Sequence, residues 1–387
     1  MKRIRRRTIY IWAGVLSCIG CLAMMAFPSV ALNAAQKGIA LWAGSVLPAL
    51  LPFFICANFM TKLGLPSYIG KFFEKPFQKL FGAPGVSAFV FSVSITSGYP
   101  MGAKLIGDLG RSKAISRSDA KRMLTFCTTS GPLFMLGAVG AGMLASPAAG
   151  AVIALAHYLG ALLNGLVFRI FSSKKVEPLP KTPFRPAAAR GSLLDIFTDS
   201  MIASFKSLGI ICGYIVLFMM ITDFIEFSGI LDTFQTDYGR SLVKGCLEMT
   251  VGCGGIAGSQ ELTLLYQCVF CAFLISFGGV SIYAQSMSML SGLNIRTAWY
   301  FAVKLCHGLL AAAVAWLLGP ALLHIETLET FSLKREEIVN GLGFFYQLLF
   351  STKMVIMIVF LFLFTMLLEK IFRGIRKLRK GKTEKKD

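Results

Sequence analysis

Long apolar runs, each able to cross a lipid bilayer, recur along most of this chain. Inside a bilayer the backbone must satisfy its own hydrogen bonds, so apolar runs of about twenty residues fold as helices. Such windows predict full spans at residues 9–27, 38–61, 123–145, 147–171, 203–225, 262–291, 297–319 and 352–369. The sequence therefore predicts an all-α polytopic membrane protein with about eight transmembrane helices.

The composition agrees with a membrane protein. Hydrophobic residues make up 55% of the 387 residues and charged residues only 15%, whereas soluble domains carry about 25% charged residues. A net charge of +20 would suggest nucleic-acid binding in a soluble protein. Here the basic residues lie at both ends and in short loops, which is typical of positive-inside topology. We expect anionic lipids as partners of the basic tails and no nucleic-acid partner.

The loops divide by charge into two groups. Residues 62–79, 104–122 and 174–190 are basic and are predicted to be cytoplasmic, whereas residues 226–240 and 324–337 are acidic or mixed and are predicted to lie outside. Eight crossings then place both basic termini in the cytoplasm. The chain is accordingly expected in the cell membrane as a multi-pass protein, and a homo-oligomer stays open as an alternative to a monomer.

Two short, glycine-punctuated apolar stretches, 84–103 and 241–258, are too weak for full spans and are predicted to be re-entrant or hairpin segments. Entry from opposite sides suggests two halves of inverted topology. The predicted domains are an N-terminal signal anchor (1–37), a first repeat (38–171), a basic cytoplasmic linker (172–202), a second repeat (203–319), and an external loop with the last span and basic tail (320–387). Their alignment is open, because Gly98 and Gly278 each precede an isoleucine by 17 residues, which pairs 84–103 with 262–291 instead of 241–258.

An octapeptide at 97–104, Ser-Gly-Tyr-Pro-Met-Gly-Ala-Lys, interrupts one of these apolar stretches. Broken backbone at membrane depth is tolerated where it lines a cavity, and a helix that begins near Pro100 would point its N–H groups at an anion. Lys104 lies one turn into that helix and either binds the anion or snorkels to the interface beside Asp108. The predicted substrate-binding residues of this motif are Ser97, Gly98, Tyr99 and Lys104.

Three further polar motifs interrupt apolar runs. Residues 127–132 place three hydroxyl side chains before Gly-Pro, where they either line a cavity or satisfy carbonyls freed by a proline kink. Glu248 is a carboxylate at membrane depth and a candidate for coupling a proton or cation, although Lys244 offers it a structural bridge. Residues 276–281 form another break. The predicted lining residues from these motifs are Thr128, Thr129, Ser130, Gly278, Gly279 and Gln285.

Several functional classes lack a sequence signal. The CxxC pairs Cys18/Cys21 and Cys268/Cys271 lie in apolar stretches without nearby ligands, so they are expected to be small hydrophobic residues. No GxxxxGK[ST], GxSxG or HExxH motif is present. We therefore expect no metal, no cofactor and no enzymatic activity. Four other polar residues stand out in apolar helices by scarcity alone: His157, Asn164, Lys304 and His307.

The interrupted segments together carry a family resemblance. The motifs are Ser-Gly-Tyr-Pro-Met-Gly-Ala-Lys (97–104), Ser-Gly-Pro-Leu-Phe (130–134), Leu-Glu-Met-Thr-Val-Gly (247–252) and Phe-Gly-Gly-Val-Ser (277–281) with Gln285. Over roughly residues 38–320 the chain resembles the YlbJ family of sporulation integral membrane proteins. The resemblance implies a nucleoside-recognition "Gate" domain in each repeat, similar to concentrative nucleoside transporters.

The resemblance also implies a role, namely movement of dipicolinic acid across a forespore membrane in endospore formers. Dipicolinate is a flat aromatic dianion, which suits a cationic site with an aromatic wall such as Tyr99. The sequence thus predicts a secondary transporter or facilitator of a small organic anion. The alternatives are a nucleoside permease, in which Glu248 and Gln285 would bind ribose or base, and a membrane scaffold that transports nothing.

Overall fold

The computed structural model describes residues 2–171 and 192–323, and every regular element within them is helical. The all-α prediction is therefore confirmed for this part of the chain. The α-helices are α1 (Lys2–Ala26), α2 (Pro28–Leu41), α3 (Leu47–Lys62), α4 (Leu65–Phe81), α5 (Ser87–Ser97), α6 (Met101–Arg111), α7 (Arg117–Leu124), α8 (Pro147–Phe171), α9 (Leu193–Phe227), α10 (Asp237–Leu247), α11 (Met249–Gly258), α12 (Leu264–Phe277), α13 (Gly279–Met289) and α14 (Thr297–Leu323). Trp42–Val46 and Leu133–Met143 are π-helical.

Membrane-crossing capacity is concentrated in a few of these helices. Among the described residues, the stretches long and apolar enough to cross a bilayer are Pro147–Phe171, Leu193–Phe227, Leu264–Met289 and Thr297–Leu323. The number rises from four to six if each of two sharply bent pairs, Tyr10–Ala26 with Pro28–Gly44 and Leu50–Lys62 with Leu65–Phe81, makes one span. The chain is a multi-pass helical membrane protein.

Most predicted spans coincide with observed helices, and one does not. The spans 147–171, 203–225 and 297–319 fall on α8, α9 and α14, and the break expected within 262–291 separates α12 from α13. The span 123–145 is not a single helix, because α7 ends at Leu124 and helical structure resumes only near Leu133. The reason is local: Pro132 has no N–H, and the Ser130 N–H donates to a histidine side chain. The predicted span 352–369 lies outside the described residues.

The stretch 241–258 is a helical hairpin, as the sequence predicted. Helices α10 and α11 fold back on each other around Glu248, which has extended backbone angles. Their backbones touch at two glycines, since a Cβ placed on Gly252 would lie 2.1 Å from the Cα of Gly245. Only a residue without a side chain permits this approach, so the glycines close the hairpin and bring Glu248 to its tip.

The hairpin makes a stability prediction. Gly252→Ala should lower the free energy of unfolding by about 1–3 kcal/mol, because the added methyl group overpacks the contact with Gly245. Gly254→Ala is the matched control on the same helix, since a Cβ there meets nothing within 4 Å. It should leave stability unchanged or raise it by up to about 1 kcal/mol. Thermal unfolding of the purified variants checks both, and equal melting temperatures would contradict the close contact.

Two groups of helices surround the broken segments. Helices α8, α12 and α14 pack against one another, while α2 and α3 run antiparallel to α9. The second pairing is fixed at its ends by Lys37–Asp223 (3.1 Å) and Lys62–Asp199 (3.3 Å). The interrupted segments lie between these groups, where their exposed backbone groups can be paired by protein instead of lipid.

Candidate functional site

The four polar motifs of the sequence are four helix breaks in the structure. They lie at residues 98–100 between α5 and α6, at 125–132 after α7, at Glu248 between α10 and α11, and at Gly278 between α12 and α13. Gly98 and Gly278 have φ angles of 79° and 84°, which a residue with a side chain rarely adopts. Each interruption therefore has its cause in the local sequence.

The four breaks meet at one place. A Cβ on Gly98 would lie 2.6 Å from the backbone nitrogen of Gly131, so the first two breaks are in contact. The Tyr99 hydroxyl donates to the Ser276 carbonyl at 3.4 Å, which joins the first break to the fourth. A Cβ on Gly279 would lie 3.0 Å from carbonyl oxygens at the end of α10, which joins the fourth to the hairpin tip.

A cavity of about 690 Å³ opens beside the meeting point. Its walls are mainly apolar and come from residues such as Leu50, Phe53, Phe134, Ile211 and Ile215. Its polar lining is formed by the breaks themselves. The predicted site residues that line it are Ser97, Gly98, Tyr99, Ser130, Glu248 and Gln285.

Glu248 and Gln285 give the cavity its acceptor groups. The Glu248 carboxylate caps α11, where Oε2 accepts from the N–H groups of Thr250 (2.8 Å) and Val251 (2.9 Å). This position at a helix N-terminus stabilises the carboxylate charge. The Gln285 amide donates to Ser281 Oγ at 3.2 Å, while its Oε1 is buried and has no hydrogen-bond partner among the described residues. An unpaired buried acceptor beside a cavity is available for a ligand donor.

Four predicted site residues lie behind the cavity lining. Thr129 bonds Ser94 through the two hydroxyls at 3.0 Å, and the Thr128 hydroxyl donates to the Leu124 carbonyl at 3.3 Å. Gly278 and Gly279 form the turn that contacts the hairpin tip. In the structure these residues shape and hold the breaks, so any contact with substrate would be indirect.

Lys104 also lies outside the cavity lining. Its buried ammonium donates to Asn58 Oδ1 at 2.6 Å and to Asp108 Oδ2 at 2.8 Å. Asn58 in turn donates to Ser204 Oγ at 2.8 Å. The structure thus contains the Lys104–Asp108 pair that the sequence allowed as an alternative, and it ties α6 to α3 and α9.

A second buried lysine, Lys304 on α14, lies directly beneath the first break. Its side chain is only 1% exposed. Its ammonium donates to the Tyr99 hydroxyl at 2.7 Å, to the Thr128 carbonyl at 3.3 Å and to His307 at 3.4 Å. It also lies 4.5 Å from the centre of the Tyr99 ring, in cation–π contact. Tyr99 is therefore the side chain that separates this cation from the cavity.

The two histidines near Lys304 are both assigned as neutral from their partners. His157 Nε2 accepts from the Ser130 N–H at 2.8 Å, so its proton is on Nδ1, which is 2.7 Å from Ser276 Oγ. His307 Nε2 faces the His157 carbonyl at 3.0 Å and must donate to it. His307 Nδ1 is then free to accept from Lys304. His157 thus joins the second and fourth breaks, and neither histidine adds charge.

The Lys304 side-chain nitrogen has no counter-charge in the described part of the chain. Its three hydrogen-bond partners are neutral groups, and no carboxylate lies within 4 Å of it there. The sequence singled out Lys304 only for its scarcity. A lone charge within an apolar helix is itself a signal of a functional site, and His307 one turn later strengthens it.

Together these features define a class, namely a multi-pass membrane protein whose broken helices and helical hairpin meet at a mainly apolar cavity with a few polar lining groups. The chain is 30% identical over 323 residues to the sporulation integral membrane protein YlbJ of Bacillus subtilis (strain 168), and the match covers 76% of this chain and 79% of that protein. The chain belongs to the YlbJ family. No family model matches it, and no solved structure matches it.

Proposed function

We propose that this protein is a secondary transporter or facilitator of a small organic anion, with dipicolinic acid as the substrate, during endospore formation. The observation that carries the proposal is the buried Lys304 nitrogen beneath Tyr99 at the cavity, which meets no carboxylate among the described residues. We assign to it the positive charge that an anionic substrate requires. Family membership places the proposal in sporulation, since the relative's name describes a sporulation membrane protein. The outer forespore membrane is the proposed location.

The cavity suits a small planar ligand. Its volume of about 690 Å³ falls within the range of about 300–1000 Å³ for small-molecule sites. Ser130 offers a hydroxyl donor on one side, whereas the Ser97 hydroxyl donates to the Val93 carbonyl at 2.6 Å and can only accept from a ligand. Apolar walls form most of the rest. A dianion that enters would draw its main stabilisation from Lys304, either through Tyr99 or after the Tyr99 ring moves aside.

Glu248 does not oppose an anionic substrate in this proposal. Two backbone N–H groups and the Thr250 hydroxyl already stabilise its charge. We assign to Glu248 the coupling of a proton or cation, which would neutralise the carboxylate while the anion is bound. The broken helices then supply the moving parts that alternating access requires.

The proposal includes two halves, 38–171 and 203–319, built as an inverted repeat. The inverted arrangement pairs the 84–103 break with the 241–258 hairpin, because these segments enter from opposite sides in the predicted topology. The other pairing, of the Gly98 and Gly278 breaks, does not fit inverted halves. Arg111 donates to the Met289 carbonyl at 2.8 Å and Arg117 contacts the Asn294 carbonyl, so the loops after α6 and α13 lie on the same side of the molecule.

A nucleoside permease is the second candidate. The observation that favours it is Gln285 Oε1, which has no hydrogen-bond partner in the described part of the chain and belongs to a residue that lines the cavity, as Glu248 does. Ribose hydroxyls and base N–H groups donate to such acceptors. In this alternative the neutral substrate would occupy the α11–α13 side of the cavity and Lys304 would be structural.

Uptake into proteoliposomes tests these functions together. Purified protein should give saturable uptake of radiolabelled dipicolinate, and excess uridine or adenosine should not compete. Nucleoside uptake, with dipicolinate excluded, would establish the second candidate instead. A protein that is folded in the vesicles yet moves neither compound would reject transport and favour a scaffold role.

Topology gives a separate prediction. Reporter fusions near residues 5 and 385 should both report a cytoplasmic location, because both ends are strongly basic and the predicted number of crossings is even. Cysteine labelling from outside intact cells provides the independent check. An external C-terminus would overturn the eight-crossing count and the inverted arrangement with it.

A further inference from the structure

A second cavity, of about 400 Å³, lies at one end of the helix bundle, beside the start of the 125–132 break. It lies between α7, α8 and α14. Lys121, Arg122 and Arg169 line it, and the described residues that line it include no aspartate or glutamate. The Ser118 and Thr125 hydroxyls also line it but are bonded within the protein, to the Ser116 hydroxyl at 2.8 Å and to the Arg122 carbonyl at 2.6 Å, so the donors in question are the basic side chains. The cavity is thus a concentration of positive charge and hydrogen-bond donors, as a phosphate group requires.

The guanidinium of Arg122 is held in a fixed orientation. Its Nη1 donates to the Gly82 carbonyl at 2.7 Å, at the point where α4 ends. The neighbouring Lys121 ammonium lies 5.7 Å from the centre of the Trp299 ring, in cation–π contact. Trp299 packs edge-on against Phe168, with ring centres 6.2 Å apart. The contacts with the Gly82 carbonyl and with the aromatic rings therefore hold these basic side chains in position.

The cavity lies where two membrane-crossing helices end. Phe171 is the last residue of α8 and Trp299 is in the first turn of α14. Tryptophan beside lysine and arginine is typical of the membrane–water interface. Phe171 lines the cavity and is 82% exposed, and Phe301 and Leu305 are exposed farther along α14. The basic groups at the interface thus adjoin a set of exposed apolar side chains on the membrane side.

We propose that this cavity binds the phosphate group of an anionic phospholipid. The phosphate would be held by Lys121, Arg122 and Arg169, and the acyl chains would follow the exposed apolar surface of α8 and α14. Basic pockets between transmembrane helices on the cytoplasmic side bind acidic headgroups in this way. The helix α7 belongs to the basic segment that the charge pattern places on that side. The site is distinct from the basic tails, which would attract anionic lipid only diffusely.

The test is lipid binding by the purified full-length protein in detergent. Native mass spectrometry and thermal unfolding would be followed during titration with phosphatidylglycerol or phosphatidylcholine. The wild type should bind phosphatidylglycerol more tightly and gain stability from it. Lys121→Gln with Arg169→Gln should weaken this binding by about 25-fold, since each basic side chain near a membrane surface contributes about fivefold.

Two control variants distinguish a specific binding site from general electrostatic attraction between the basic protein and anionic lipid. Lys71→Gln with Lys75→Gln removes the same charge from exposed positions on α4 and should leave the affinity within about twofold. The charge-conserving pair Lys121→Arg with Arg169→Lys should retain most of the binding, which guards against loss of fold. Equal weakening by the α4 variant, or equal binding of the two lipids by the wild type, overturns the proposal. Equal stabilisation by inorganic phosphate at the same concentration would assign the site to free phosphate and reject the lipid.

Discussion

Replacing Lys304 by methionine should reduce the affinity for dipicolinate by about 30- to 1000-fold, because a partly desolvated contact between an ion pair contributes about 2–4 kcal/mol. The aliphatic stem is kept and only the ammonium is lost. The Tyr99 hydroxyl and His307 Nδ1 each lose a donor, so some loss of stability is also expected. Equilibrium binding of radiolabelled dipicolinate to purified protein measures the affinity, and thermal unfolding measures the stability separately.

Lys304→Arg keeps the charge in a different shape and should give an intermediate affinity. Lys104→Met is the matched comparison, because Lys104 is also buried near a break but is paired with Asp108 and Asn58. If Lys304 supplies the charge, Lys104→Met should lower stability and keep the anion affinity. If Lys104 supplies the charge, as the sequence predicts, Lys104→Met will lower the anion affinity and Lys304→Met will keep it. Parental affinity in both variants would remove the basis for an anionic substrate.

The individual breaks of this fold were predictable because each has a local cause. Gly98 and Gly278 are glycines with positive φ angles. The 125–132 segment has clustered hydroxyl groups and a proline without an N–H group. Each of these causes is local and does not depend on the rest of the chain. The hairpin at 241–258 followed from its glycines in the same way. The span predicted at 123–145 is not one continuous helix, because a hydropathy window averages over the interruption that its own Thr-Thr-Ser-Gly-Pro motif creates.

The composition of the site was less predictable, since it depends on contacts between distant segments. Tyr99 and Lys304 are 205 residues apart in sequence, and nothing local to α14 indicates that its lysine faces the first break. Lys104 was chosen because it adjoins the break in sequence. One helical turn directs its side chain to Asp108 instead, and proximity along the chain was then a poor guide to the cavity.

Glu248→Gln should abolish coupling while leaving the fold intact, which makes it the second informative variant. The glutamine Oε1 can still accept from the Thr250 and Val251 N–H groups, and the Thr250 hydroxyl can turn to accept from the new amide. The helix cap is therefore kept and only the ionisable charge is lost. Uptake driven by a proton or sodium gradient should fall by about tenfold or more, whereas binding of dipicolinate at equilibrium should persist.

Comparing Glu248→Ala with Glu248→Gln distinguishes the role of the carboxylate charge from that of the helix cap. Glu248→Ala removes both, so it should cost about 1 kcal/mol of stability in addition to the loss of gradient-driven uptake. The comparison of the two variants assigns the residue its role, because only the alanine variant loses the acceptor for the α11 N–H groups. Gradient-driven uptake at the parental rate in Glu248→Gln would leave Glu248 as a helix cap. A coupled transporter would then need another ionisable group at the cavity, for which Lys304, hydrogen-bonded to Tyr99 at its wall, is the nearest candidate.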